Sequence, residues 1–288
     1  MKYKLICNGD SWTFGSEITD PKVDKIYGGP KKVYRGTYDF KEENAPYRTQ
    51  RIWSTYIREY LDCDTVNLGW PADDNTTILN RTIDFVTREY LAKGKSTDEL
   101  IVVTGWSSPE RNSFWWHDEE INWHFRLWPN VQHFDRPLQK DFWKIYIQHM
   151  WTTAEFIPRY IMNNITLQSW CEANNIKYLT YNSFYQIEGK DIQEWRMNIR
   201  SMIDKMAKYQ YSIDFPDHEN RWMLQHDWMS IWNTVKSPNF YKKDKPDNTF
   251  NDFIQSKLKD PYIGLHPSPE GHRVWAKELA RYIKKYIL

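Results

Sequence analysis

The stretch Cys7-Asn8-Gly9-Asp10-Ser11-Trp12-Thr13-Phe14-Gly15 directly follows the apolar-leaning run Tyr3 to Cys7. A short buried strand that ends in a glycine-bracketed turn can hold one serine hydroxyl at the C-terminal edge of a sheet, where open α/β sheets place their ligands. Ser11 is therefore read as a nucleophile. Gly-Asp-Ser is also ordinary turn chemistry, so the reading depends on a partner elsewhere in the chain.

A serine becomes nucleophilic through a general base recruited across the fold. The far end of the chain supplies a candidate in Gly264-Leu265-His266-Pro267-Ser268-Pro269-Glu270-Gly271-His272, which leads into a helix-like run. His266 is preferred over His272, because His272 falls inside that helix. With both blocks in view, the sequence resembles the SGNH, or GDSL-type, serine hydrolase family. The first block looks like Gly9-Asp10-Ser11 and the last like His266-Pro267-Ser268. The resemblance implies a three-layer, flavodoxin-like α/β fold with a central, mostly parallel sheet, carrying large aromatic-rich insertions here. It also implies acyl-serine chemistry with no metal or organic cofactor. It covers the scaffold, whereas much of the middle of the chain matches none of the family's blocks.

The inner blocks depart from the family pattern. Where the second block contributes a glycine N–H to the oxyanion, the matching position looks like Ala72, in the loop after Thr65-Val66-Asn67-Leu68. The third block's asparagine is replaced by Ser107, after the strand Leu100-Ile101-Val102-Val103-Thr104. A hydroxyl donates a hydrogen bond but reaches less far than an amide, and Arg111 or Asn112 could substitute. Arginine would also favour an anionic substrate, although Glu110 and Arg111 could equally pair with each other at the surface. The family's Asp-x-x-His is broken by Ile263. Asp260 is the nearest upstream acid, so Asp260 or another acid orients His266, or a main-chain carbonyl holds it in a Ser–His dyad. Asp10, Trp12, Trp70, Trp106 and Arg111 are the candidate substrate-binding residues.

Composition bounds the partners. The 288 residues carry 39 basic and 38 acidic side chains for a net charge of +1, so no global field draws the chain to nucleic acid or an anionic membrane. No window approaches the ~18 apolar residues of a membrane span. Leu5-Ile6-Cys7 is too short for a signal peptide's apolar region, and a cytoplasmic protein is expected. Cys7, Cys63 and Cys171 match neither a metal spacing nor an even disulfide framework. The outstanding feature is aromatic content, 17% of the chain with 16 tryptophans, which suits a core, a sugar or base platform, or an interface.

Along the chain, strands and helices alternate as a parallel α/β sheet requires. Amphipathic helices are expected over Arg48 to Leu61, from Ile78 to Tyr90 with Asp74 or Asn75 as N-cap, over Asp141 to Asn174 with Pro158 kinking or dividing it, and after Pro269. The fourth strand is Lys177 to Tyr181. Insertions are expected at residues 16–46, 112–137 and 184–262 of one domain. The second, which holds Trp115, Trp116, Trp123 and Trp128, is a candidate lid. Within it His117, Glu120 and His124 could share a helix face, a weak metal spacing. Lys236 to Asn251 is expected to be an exposed loop.

The leading expectation is a serine esterase or deacylase that removes an O-acyl group from a sugar or similar small polar acceptor. The alternatives are a catalytically weakened accessory protein that binds carbohydrate or nucleic acid, and a phosphodiester- or nucleotide-processing enzyme relying on Arg111 or on Lys31, Lys32 and Arg35.

Overall fold

The computed structural model describes residues 2–27, 38–117, 122–127, 137–146, 150, 153–184, 228–243, 245 and 248–288. Its centre is a sheet of β1 (Tyr3–Asn8), β2 (Cys63–Asn67), β3 (Leu100–Trp106) and, after a hairpin, β6 (Lys177–Asn182), in the order β2-β1-β3-β6 with every pairing parallel. The hairpin between them is β4 (Asn112–His117) and β5 (Asn122–Leu127). Beyond β6, Phe240 bridges Thr180 and Thr249 bridges Asn182, both in parallel sense, so these two residues stand at the place of a fifth strand. This is the flavodoxin-like order 2-1-3-4-5, its last position reduced to two bridges.

Alternation along the strands divides the core in two. Leu5, Cys7, Ile101, Val103, Leu179 and Tyr181 face α4 (Trp53–Tyr56), α9 (Phe250–Lys257) and α10 (Pro269–Tyr286). Ile6, Val102, Trp106 and Tyr178 face α5 (Asn75–Glu89), α7 (Thr153–Ala173) and α8 (Trp228–Asn233). The three cysteines are free and buried. Trp53 and Trp275 lie in the first core and Trp106 and Trp232 in the second, all fully buried, and truncating one to alanine would cost about 3–5 kcal/mol.

Several local expectations change in the fold. The helix expected over Arg48 to Leu61 is broken into α3 (Ala45–Thr49), α4 and a short 3-10 turn, because Ile52 is extended between them. The break frees the Trp53 N–H to donate to His272 Nδ1 at 3.2 Å. Pro158 lies in the second turn of an unbroken α7, where only one intrahelical donor is lost. A separate helix, α6 (Pro137–Ile145), precedes it. Lys236 to Asn251 is not an exposed loop, for Phe240, Tyr241, Lys243, Asn248 and Thr249 are buried against β6 and its neighbours. His117 and His124 are on opposite strands of the β4-β5 hairpin, paired with Asn122 and Trp115, so no helix face joins them. Glu120, residues 28–37 and most of the third expected insertion, 185–227, lie outside the described residues. Among the described residues no helix is long and apolar enough to cross a membrane.

Candidate active site

The Gly-Asp-Ser turn forms where β1 meets a single helical turn, α1 (Ser11–Phe14). Gly9 is demanded by close approach: a Cβ there would lie 2.3 Å from Thr13 Oγ1 and 2.9 Å from the Gly105 carbonyl. Asp10 caps α1, its Oδ1 accepting the Trp12 N–H at 3.0 Å. Ser11 is then the first helical residue, with an N–H that such a position leaves unpaired by the helix. Its side chain is nearly buried at 6% exposure, and its hydroxyl has no hydrogen-bond partner among the described residues. The adjoining loop is fastened by main chain, the Trp70 N–H donating to the Gly9 carbonyl at 3.0 Å.

His266 sits on β8 (His266–Pro267), which pairs with β7 (Tyr262–Ile263) in a tight hairpin and packs against α1. The hairpin register places Ile263 opposite His266 and Pro261 opposite Ser268. Asp260 is therefore carried past the end of the ladder, about three residues or ~10 Å along the strand from His266. It is exposed and lines a surface depression with Gln255 and Lys259. The expected partnership of Asp260 with His266 is not what the fold builds.

The acid beside His266 is Glu17, two residues past Gly15. Its Oε2 lies 2.9 Å from His266 Nδ1, an approach bent off the N–H axis, and accepts the Leu265 N–H at 2.9 Å. Burial pushes the Glu17 carboxyl up. The close approach and charge of His266, with the Leu265 and His266 main-chain donors, pull harder and leave it below its ordinary value. The other ring nitrogen, Nε2, has no partner among the described residues. His272 is a different case. It is fully buried in α10, and burial followed by the neighbouring His266 charge depresses its pKa to about 3, so it stays neutral as an acceptor for Trp53.

The oxyanion candidates behave differently from one another. Ala72 adopts φ +63°, the left-handed region that favours glycine, at a cost of about 1–2 kcal/mol. The backbone thus keeps the geometry a glycine would give. Ser107 is held by a reciprocal pair: its N–H donates to Asn75 Oδ1 at 2.7 Å, and Asn75 Nδ2 donates to its carbonyl at 3.1 Å. Its hydroxyl donates to Asp10 Oδ2 at 2.8 Å and accepts from Arg111 Nη1 at 2.8 Å. With its one proton committed to Asp10, the Ser107 hydroxyl is not a free donor. Arg111 also reaches Asp10 Oδ2 at 3.2 Å and stands over the Phe184 ring. Its loop is pinned by Arg159, which donates to the Pro109 and Arg111 carbonyls. Glu110 does not pair with Arg111 at the surface. It is buried, accepts from the Ser108 hydroxyl and is pushed up by burial.

The substrate-binding candidates divide by exposure. Asp10 is wholly buried between Ser107, Arg111 and the α1 N-terminus, so it organises the turn rather than facing solvent. Trp12 is buried edge-on against Phe184 and Phe250, and Trp106 belongs to the opposite core. Trp70 is 40% exposed and meets Phe40, 58% exposed, with ring centroids 5.2 Å apart. Among the described residues no group of three or more His, Cys, Asp or Glu is gathered as a metal site.

Glu17 and Asn75 were not legible as candidate site residues. No sequence spacing ties an acid just after Gly15 to a histidine some 250 positions later; the only hint is Gly264, whose missing side chain leaves the room Glu17 fills.

Structural similarity extends over nearly the whole chain but is distant. Esterase EstA from Pseudoalteromonas sp. matches at 11% identity and a TM-score of 0.43, covering 98% of this chain and 97% of its own. A carbohydrate esterase family 2 enzyme with a carbohydrate binding domain, from Corynascus thermopiles, matches at 10% identity and a TM-score of 0.43, covering 99% of this chain and 67% of its own. A member of the lipolytic protein G-D-S-L family from Veillonella parvula matches at 9% identity and a TM-score of 0.38, covering 98% and 97%. At TM-scores this low the likenesses carry no assignment of activity. No curated protein matches the chain. The match that does assign it is to a sequence family: the model described as a family of unknown function, DUF6071, covers residues 38–218, more than half of the chain, and the protein belongs to that family.

Proposed function

We propose that the protein is an SGNH-like serine hydrolase that cleaves an O-acyl ester, with Ser11, His266 and Glu17 as its triad. The observation that carries this reading is the approach of Glu17 Oε2 to His266 Nδ1 on the hairpin packed against the Ser11 turn. A histidine held at Nδ1 by a carboxylate presents Nε2 as a base, which is how a serine hydroxyl is activated. Ser11 Oγ attacks the acyl carbon while its proton passes to His266 Nε2, and Glu17 stabilises the imidazolium. The tetrahedral oxyanion is received by the N–H groups of Ser11 and Ala72, neither of which has an acceptor among the described residues, and by the guanidinium of Arg111 in place of the committed Ser107 hydroxyl. Collapse returns the proton to the leaving alcohol. Water then attacks the acyl-serine by the same route, releasing the acid. The exposed Trp70 and Phe40 pair beside the turn suits a sugar or similar small polar acceptor with an apolar face.

A second reading, a binding protein with weakened catalysis, is favoured by one observation. Ser107, in the place of the family's oxyanion asparagine, spends its hydroxyl on Asp10.

A fluorophosphonate probe decides between them. Stoichiometric labelling of Ser11, located by peptide mass and lost in both Ser11→Ala and His266→Ala, supports the hydrolase. A folded wild-type protein that stays unlabelled by a reagent shown competent on a control serine hydrolase supports the binding protein.

A further inference from the structure

We propose that Asp39 is a positioning residue for the His266–Glu17 pair, acting through the main chain of Glu17; the catalytic part of this inference rests on the hydrolase reading above. Glu17 is one of only four non-glycine residues with positive φ among the described residues, at +66°. A glutamate held there costs about 1–2 kcal/mol and needs outside support. The support comes from a segment more than twenty residues downstream. Asp39, itself buried, accepts the Glu17 N–H on Oδ1 at 2.8 Å. Asn44 brackets the same turn, its Oδ1 accepting the Asp20 N–H at 2.8 Å and its Nδ2 donating to the Ile18 carbonyl at 3.0 Å.

Arg48 links this support to the nucleophile. It is buried, and its guanidinium lies 3.5 Å from the centroid of Phe14, on the helical turn that begins with Ser11. Burial pushes the Asp39 carboxyl up, against the Glu17 N–H and the charges of Arg48 and His266. The segment 38–48 therefore touches both halves of the site: the acid through Asp39, the nucleophile turn through Arg48 and Phe14. An acceptor at residue 39 fixes which way residue 17 turns, and with it whether the Glu17 carboxylate meets His266 or swings away.

The test uses the full chain. The Glu17 carboxyl is titrated by carbon-13 NMR, assigned with Glu17→Gln, in wild type, His266→Gln, Asp39→Ala and Asp39→Asn. Contact with His266 helps hold this carboxyl below its ordinary value, so a Glu17 that swings away titrates higher. Asp39→Ala is expected to raise the Glu17 midpoint toward that of His266→Gln, while Asp39→Asn, which keeps an oxygen acceptor, stays near wild type. With an ester that wild type turns over, Asp39→Ala is expected to lose about tenfold or more in kcat with KM within about twofold. A wild-type midpoint in folded Asp39→Ala, or an Asp39→Asn midpoint as high as that of Asp39→Ala, overturns the proposal. If Asp39→Ala does not fold, Asp39→Ser takes its place, its hydroxyl too short to hold the Glu17 N–H, with the same two outcomes. If Ser11 never labels yet the midpoint rises in Asp39→Ala, the positioning role stands and the hydrolase reading fails.

Discussion

Gly264 and Glu17 occupy one space: a Cβ on residue 264 would lie 2.5 Å from Oε2 of Glu17. Gly264 also holds φ +60° at the turn between β7 and β8. The turn that delivers His266 and the carboxylate that meets it are therefore fitted to each other. Gly264→Ala must displace Glu17, and the expected result is an ester kcat or Ser11 labelling rate reduced by about 10²-fold or more. Strain at positive φ adds a loss of about 1–2 kcal/mol in unfolding free energy. Labelling rate and denaturant titration on one preparation check both.

The lowered Glu17 carboxyl makes a prediction about acid stability. A carboxylate whose folded pKa lies below its unfolded 4.5 contributes stability above that value and loses it as pH falls through the folded one. Wild type is expected to lose more stability than Glu17→Gln between about pH 5 and pH 3, so the gap between their Tm values narrows as pH falls. A constant gap across that window would show that the ionised carboxylate adds nothing to the fold.

Arg111 joins a buried carboxylate to the site. Removing it as Arg111→Ala leaves Asp10 with only the Ser107 hydroxyl and the Trp12 N–H, and breaking a buried pair in this way costs about 3–5 kcal/mol. The double variant Asp10→Asn with Arg111→Ala should recover much of that stability. On the mechanism proposed above it should not recover activity, because one lost oxyanion donor costs about 10²–10³ in kcat. Chemical denaturation and ester kinetics on the two variants separate the effects.

Ala72 carries a left-handed backbone on a residue that resists it. Ala72→Gly is expected to raise unfolding free energy by about 0.5–1 kcal/mol, a Tm gain of about 2 °C. On the proposed mechanism activity should be kept, since the donor assigned to this position is main chain. A loss of activity without a loss of stability would show that the Ala72 methyl itself touches substrate.

How far the sequence reached follows from the range of each interaction. The apolar β-branched run at 100–104, the tyrosine-rich run at 177–181, and the capped helices after Asp74 and Ser268 are local patterns, and local physics makes them strands and helices in any compact context. The Gly9-Asp10-Ser11 and His266-Pro267-Ser268 blocks were legible as candidates because each is a contiguous short motif. The identity of the acid beside His266 was not legible. It depends on a hairpin register that carries Asp260 away, a left-handed turn at Glu17, and an acceptor from Asp39, none of them neighbours in sequence. Ser107 was likewise read from its position alone, while its hydroxyl was decided by Asp10 and Arg111 meeting it across strands. The tryptophans show the same limit in packing. Composition marks them as large and amphipathic, but only the folding of strands β1, β3 and β6 into one sheet sends Trp12 and Trp106 to opposite cores and leaves Trp70 in solvent. Backbone propensity and hydrophobic period act within a few residues, so the sequence alone determined the parallel α/β frame and marked Ser11 and His266 as candidates. Which charged group faces which is a long-range Coulombic and hydrogen-bonding outcome, and only the tertiary structure decided it.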